Sequence, residues 1–116
     1  FFLWQFRGDS YWKLNDYQNA LNDYLKSIEL DSSNGASYDN AAMCYSLMGE
    51  HDKAHEFIDK AISFEMEEDM PMIRKAQIFE FQNLKTEALE QYKKTLSKFP
   101  DSEFANKKVL ELSNNQ

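Results

Sequence analysis

Trp4-Gln5-Phe6-Arg7-Gly8-Asp9-Ser10-Tyr11, followed after a short gap by Ala20-Leu21-Asn22-Asp23-Tyr24, is the stretch whose reading decides the fold. Trp4, Gly8, Tyr11, Ala20 and Tyr24 recur after 34 residues as Tyr38, Ala42, Tyr45, Ala54 and Ile58. A second step of 34 gives Met72, Ala76, Phe79, Ala88 and Tyr92, with no insertion or deletion. The spacing is that of a helical hairpin. Small residues at Gly8, Ala42 and Ala76 let a paired helix approach closely through its own Ala20, Ala54 or Ala88, and the rings fill the space beside that contact.

Composition agrees. The 116 residues include three glycines and two prolines, too little turn chemistry for the many hairpins of an all-β fold. A formal charge of −7 argues against DNA or RNA as a partner, because a nucleic-acid surface needs a basic stripe to exchange for counterions. No apolar run reaches the roughly 18–20 residues of a membrane span, and Phe1-Phe2-Leu3-Trp4 is too short and lacks the basic flank of a signal peptide. A soluble chain is expected. The single cysteine does not distinguish compartments, so localisation stays open, with the cytoplasm favoured.

The pattern resembles the tetratricopeptide repeat, whose first helix carries Trp, Leu, Gly and Tyr, and whose second carries Ala, Phe and Ala before a closing Pro. Trp4, Gly8, Tyr11, Ala20 and Tyr24 match it in the first repeat. Ser27, Ala61 and Thr95 are the small residues of the next slot, and Pro100 is the closing proline of the third repeat. The leucine slot departs from the family, holding Arg7, Ala41 and Lys75, and the proline slot holds Ser32 and Met66. Stems of Arg7 and Lys75 laid along apolar surface, with their charges in water, would accommodate the first departure.

The resemblance implies an all-α, right-handed superhelical solenoid of three helical hairpins plus a C-terminal capping helix. A single domain over 1–116 is expected, with repeats at 1–34, 35–68 and 69–102 and a cap at about 102–113. Helices are expected at about 2–14, 18–30, 36–48, 52–64, 70–82, 86–98 and 102–113. Asn15-Asp16, Gly49-Glu50 and Asn83-Leu84 turn within hairpins, Asp31–Gly35 and Phe99-Pro100-Asp101 separate them, and Asp101 or Ser102 caps the last helix. The chain opens at Phe1, already in register and without methionine, which leaves room for repeats on its N-terminal side.

In such a stack the first helices line the concave side. At about 100° per residue, the sector opposite Trp4, Gly8 and Tyr11 holds Phe2, Gln5, Phe6, Asp9, Trp12 and Lys13. Its counterparts are Ala36, Asp39, Asn40, Met43, Ser46 and Leu47, then Met70, Ile73, Arg74, Gln77, Glu80 and Phe81. The expected partner-binding residues on this apolar face are Phe2, Phe6, Asp9, Trp12, Asp39, Asn40, Met43, Leu47, Met70, Ile73, Arg74 and Phe81. They suit a protein or peptide segment with apolar anchors, Asp9, Asp39 and Glu80 meeting basic residues and Arg74 an acidic one. Homo-oligomerisation or docking within a longer solenoid is the alternative use of the face, and a regulatory module of a multidomain enzyme is a third.

One subgroup of the resembled family clamps the carboxylate tail of heat-shock chaperones with Lys and Asn, then Asn, then Lys and Arg. The corresponding slots here hold Gln5, Asp9, Asn40, Met70 and Arg74, of which only Asn40 and Arg74 match. Asp9 sets a negative charge beside the incoming carboxylate and two lysines are missing, so that clamp is not expected.

Catalytic residues, cofactors and a metal site are not expected. The sequence holds no Gly-rich phosphate loop, Gly-x-Ser-x-Gly elbow or paired-cysteine motif. His51 and His55 are four apart, but the first is expected in the turn ahead of a helix, out of chelating geometry. Cys44 reads as a buried structural thiol, and Glu65, Glu67, Glu68 and Asp69 as a solvated acidic turn.

Overall fold

The computed structural model describes residues 2–64 and 67–114, with Phe2 described by its backbone alone. Its helices are α1 (Phe2–Lys13), α2 (Tyr17–Leu30), α3 (Gly35–Leu47), α4 (His51–Ser63), α5 (Met70–Phe81), α6 (Lys85–Lys98) and α7 (Glu103–Asn114). Each boundary falls within one residue of the sequence expectation. Consecutive helices pack on one another, and α3 also touches α5, so first helices meet along one side of the stack. The particle measures 42 × 27 × 22 Å, long in one direction as serial stacking requires.

The period of 34 returns in the turns atom by atom. Asn15, Gly49 and Asn83 are one period apart, and all three adopt the left-handed conformation, with φ of 61°, 83° and 61°. Asparagine and glycine are the residues that tolerate it. At each turn the next amide donates back across it: Asp16 to Tyr11, Glu50 to Tyr45 and Leu84 to Phe79, at 2.9, 2.8 and 2.9 Å. Asp16, Asn34 and Ser102 then accept the amides of Asn19, Ser37 and Ala105 as helix caps. The cap of α7 is therefore Ser102.

Small-residue contacts hold the hairpins closed. Ala20, Ala42, Ala54, Ala76 and Ala88 have no exposed surface. A Cβ on Gly8 would meet the Tyr24 ring at 2.9 Å, so glycine is required there for α2 to lie as close as it does. Among the described residues three apolar clusters form the core. One joins α3 and α4 to Ile78, one joins α2 to Ala41 and Cys44, and one joins α5 and α6 to Ala105 of α7.

At the leucine slot Arg7 and Lys75 each form an ion pair, with the Arg7 side chain still half exposed, while Ala41 is buried. Arg7 donates through Nε and Nη2 to both oxygens of Asp23 at 2.8 Å, and its guanidinium lies 4.9 Å from the Trp4 ring centroid. Lys75 reaches Asp59 on the preceding α4 at 2.6 Å. Asp23 is nearly fully buried, so Arg7 neutralises a carboxylate that the helix packing has removed from water.

Candidate functional site

The expected open face is smaller than its helical-wheel sector. Met43 is 6% exposed and packs with Ala42, Ala54, Ile58, Ala61 and Ile78, while Ile73 is 3% exposed and packs with Ala76, Ala88, Tyr92 and Ala105. Both are core residues, and the expectation that they line an open groove is corrected. The sector is a property of one helix, whereas coverage depends on the helices around it: Met43 clusters with α4 residues and Ile78 of α5, and Ile73 with α6 residues and Ala105 of α7. Asp39 is also buried, leaving Phe6, Leu47, Met70 and Phe81 as the exposed apolar members. The side chain of Phe2 lies outside the described residues.

Four of the expected residues converge. Asp9 and Trp12 of α1, Asn40 of α3 and Arg74 of α5 line one cleft of about 260 Å³, together with Lys13 and Tyr24. Three first helices thus contribute to one concavity, and α2 closes its floor. Phe6, Leu47, Met70 and Phe81 stand outside the cleft lining, so its walls are polar and aromatic rather than uniformly apolar.

Asp9, Tyr24 and Arg74 of the cleft are held by neighbouring side chains. The Tyr24 hydroxyl donates to Asp9 Oδ1 at 2.5 Å, and burial together with that bond pushes the phenol well above its usual range. Trp12 sets its ring edge-on to Tyr17, with centroids 5.2 Å apart, and packs against two core clusters. It is as much a wedge between the first two hairpins as a cleft wall. Behind the cleft, Arg74 Nε stands 3.2 Å from Asp39 Oδ1. Neither atom completes a hydrogen bond, so the contact is an ion pair out of line rather than a bidentate fork. Burial raises the Asp39 carboxyl to about 6, with Arg74 opposing the rise and Glu68 adding to it.

Of the five slots that the chaperone-tail subgroup uses, Gln5 accepts a bond from Asn34, Asp9 is engaged by Tyr24, and Arg74 is paired with Asp39. Met70 is exposed, and Asn40 faces the cleft. Tyr24 and Lys13 are the cleft residues missing from the expected set. Tyr24 was legible only as a hairpin core position, although a buried phenol always needs an acceptor, and Asp9 is the acid within reach.

Other candidates resolve locally. His51 is the first residue of α4, which corrects its expected place in the turn. His55 nonetheless turns to Gln82 at 2.6 Å and lies on Phe79, with centroids 4.5 Å apart. Cys44 is fully buried, and burial pushes its thiol up to about 12. Glu67 and Glu68 are exposed, while Glu65 lies outside the described residues.

Comparison with known proteins gives one family. Models of the tetratricopeptide repeat match residues 3–34, 23–56 and 72–102. Stress-induced-phosphoprotein 1 of Caenorhabditis elegans is 34% identical over 112 residues, covering 90% of this chain and 35% of that protein. The N-terminal domain of stress-induced protein-1 from C. elegans superimposes with a TM-score of 0.79 at 30% identity, covering 97% of this chain and 93% of that one. The first TPR of Spaghetti, solved bound to HSP90 peptide SRMEEVD, gives a TM-score of 0.83 at 19% identity, covering 98% and 90%. This last likeness is one of fold alone. The chain spans 11%, 35%, 63% and 12% of the lengths of four curated relatives that it matches. Among the described residues no helix is long and apolar enough to cross a membrane. By its three matched segments, its shared turn geometry and its hairpin stack, the chain belongs to the tetratricopeptide repeat family.

Proposed function

We propose that the chain is a non-catalytic module that holds a segment of a partner protein along its first helices, centred on the cleft of Asp9, Trp12, Asn40 and Arg74. The convergence of these four residues, from three different helices, carries the reading. A concavity with an aromatic wall and a few fixed polar groups orients a peptide without needing a large apolar area. Leu47, Met70 and Phe81, exposed on α3 and α5, supply apolar contacts beyond the cleft lining.

The partner segment differs from an acidic chaperone tail. A carboxylate entering the cleft would meet Asp9 and would compete with Asp39 for Arg74, and Gln5 and Met70 offer it no cation, which leaves Lys13 as the lysine on the lining. The structural neighbour bound to an acidic peptide therefore supports peptide holding as a mode, and not the same ligand.

The test is selection of displayed 16-residue peptides against the folded chain, followed by affinity measurement on variants. Asn40→Ala and Phe81→Ala weaken the selected peptides about tenfold, about 1.4 kcal/mol each, and leave the melting temperature within a few degrees. Trp12→Ala does not serve, because removing a ring packed on two core clusters destabilises the fold itself. Peptides that bind all variants equally would place the site elsewhere.

A further inference from the structure

Charge pairs link α3 to α5 and α5 to α7. Asp39 of α3 faces Arg74 of α5 at 3.2 Å, and Glu80 of α5 accepts from Lys108 of α7 at 3.2 Å. Arg74 and Lys108 are 34 residues apart, so one register position supplies the cation both times. In α3 that position holds Asn40, which brings no charge. Asn40 shares its cleft with Asp9 of α1, and among the described residues no cation pairs with Asp9.

Asp9 and Glu80 are otherwise held alike. Tyr24 donates to Asp9 Oδ1 at 2.5 Å, and Tyr92, two periods later, donates to Glu80 Oε1 at 2.5 Å. Each bond orients its carboxylate and leaves the second oxygen to another donor, since an ionised carboxylate accepts through both. Glu80 Oε2 takes the Lys108 ammonium, which also lies 5.8 Å from the Phe104 ring centroid. Asp9 Oδ2 takes no hydrogen bond among the described residues, and Asp9 lines a cleft with the Trp12 ring in its wall. The third hairpin thus shows, occupied, the arrangement that the first hairpin offers to a cation from outside.

Taking the cleft as the seat of the partner segment, as proposed for its function, we infer that it selects a lysine or arginine of that segment. The cation is received by Asp9 Oδ2 beside Trp12, as Lys108 is received by Glu80 beside Phe104. The two cations on the lining do not take this role. Arg74 already faces Asp39. Lys13 is exposed and forms no pair with Asp9, and an exposed pair four residues apart on one helix is weak enough to yield to a cation held between cleft walls. The net charge of −7 draws a basic segment towards the chain and opposes an acidic one.

The experiment takes peptides selected against the folded 116-residue chain and exchanges each Lys and Arg in them for Gln. One such exchange is expected to weaken binding about tenfold, as the loss of a charge-assisted hydrogen bond does. The same exchange should cost less than about twofold on either of two folded variants. Asp9→Asn removes the charge but keeps an oxygen for Tyr24, and Asn40→Lys leaves that bond alone and gives the first hairpin the lysine of the third. Melting temperatures establish that each variant is folded, and either one suffices for the comparison. Selected peptides that share no basic residue overturn the inference, as does an exchange equally costly on the parent and on a folded variant. In both cases the cleft reading stands if Asn40→Ala still weakens binding. Peptides indifferent to Asn40→Ala and Phe81→Ala overturn the two together.

Discussion

α1 and α7 occupy corresponding places at opposite ends of the stack, yet they turn different chemistry outward. α7 lies in the register of a first helix, and Ala105, Val109 and Leu112 form its packed side. Where the hairpins carry Trp4, Gly8 and Tyr11 and their repeats, α7 has Asn106, Leu110 and Ser113, all exposed. Two polar residues around a single leucine make no apolar row, since lone exposed apolar side chains are ordinary. α1 instead presents Leu3, Phe6 and Leu14 along one side. The lesson is that the side a hairpin partner covers in α1, α3 and α5 is largely polar in α7, whereas α1 keeps an apolar outward side.

The comparison can be broken most forcefully by deleting residues 103–116. Loss of α7 uncovers the α6 face around Ala88 and Tyr92, and the expected cost is on the order of 4 kcal/mol, seen as a large drop in melting temperature by circular dichroism. A chain that still melts at the original temperature would show that α7 is not a cap.

Between the ends, Asp39 sets a pH dependence. Its carboxyl stands at about 6 in the folded chain because of burial, against about 4 when unfolded. Between those values the folded chain holds a proton that the unfolded chain lacks, so stability falls as pH rises from about 4 to about 6. The effect is on the order of 2 kcal/mol. Urea titrations at both ends of that window should show the fall, and Asp39→Asn should flatten it.

Paired tyrosines sharpen the contrast further. Tyr24 donates to Asp9 near the α1 end and Tyr92 donates to Glu80 near the α7 end, but Glu80 also holds Lys108 of α7 at 3.2 Å. Tyr24→Phe should therefore cost about 1.5 kcal/mol and Tyr92→Phe nearer 1 kcal/mol, measured by denaturant midpoint. The smallest effect belongs to Leu3→Ser with Leu14→Ser, expected within about 0.5 kcal/mol of the parent because both side chains are exposed.

Much of this architecture was legible before any coordinates, because it depends on local chemistry repeated at one period. Asn15, Gly49 and Asn83 announce the turns, and Gly8 with its alanine counterparts announces the close contacts. The cleft was legible only in part. Asp9, Trp12, Asn40 and Arg74 could be assigned to one side of their helices, but Met43 and Ile73 share that side and are buried. A wheel projection carries no information on how far the next hairpin overlaps. The pairing of Arg74 with Asp39, or of Lys75 with Asp59, likewise depends on the offset between hairpins, which no single helix reveals.

The central claim is that a partner segment is held in the cleft formed by three first helices. Nuclear magnetic resonance of the folded chain, titrated with a selected 16-residue peptide, tests it most directly. The account predicts shifts at the Trp12 indole N–H and the Asn40 side-chain amide, with the amides of α4 and α6 unmoved. Shifts confined to α2, α4 and α6, with the Trp12 indole unchanged at saturation, would contradict it.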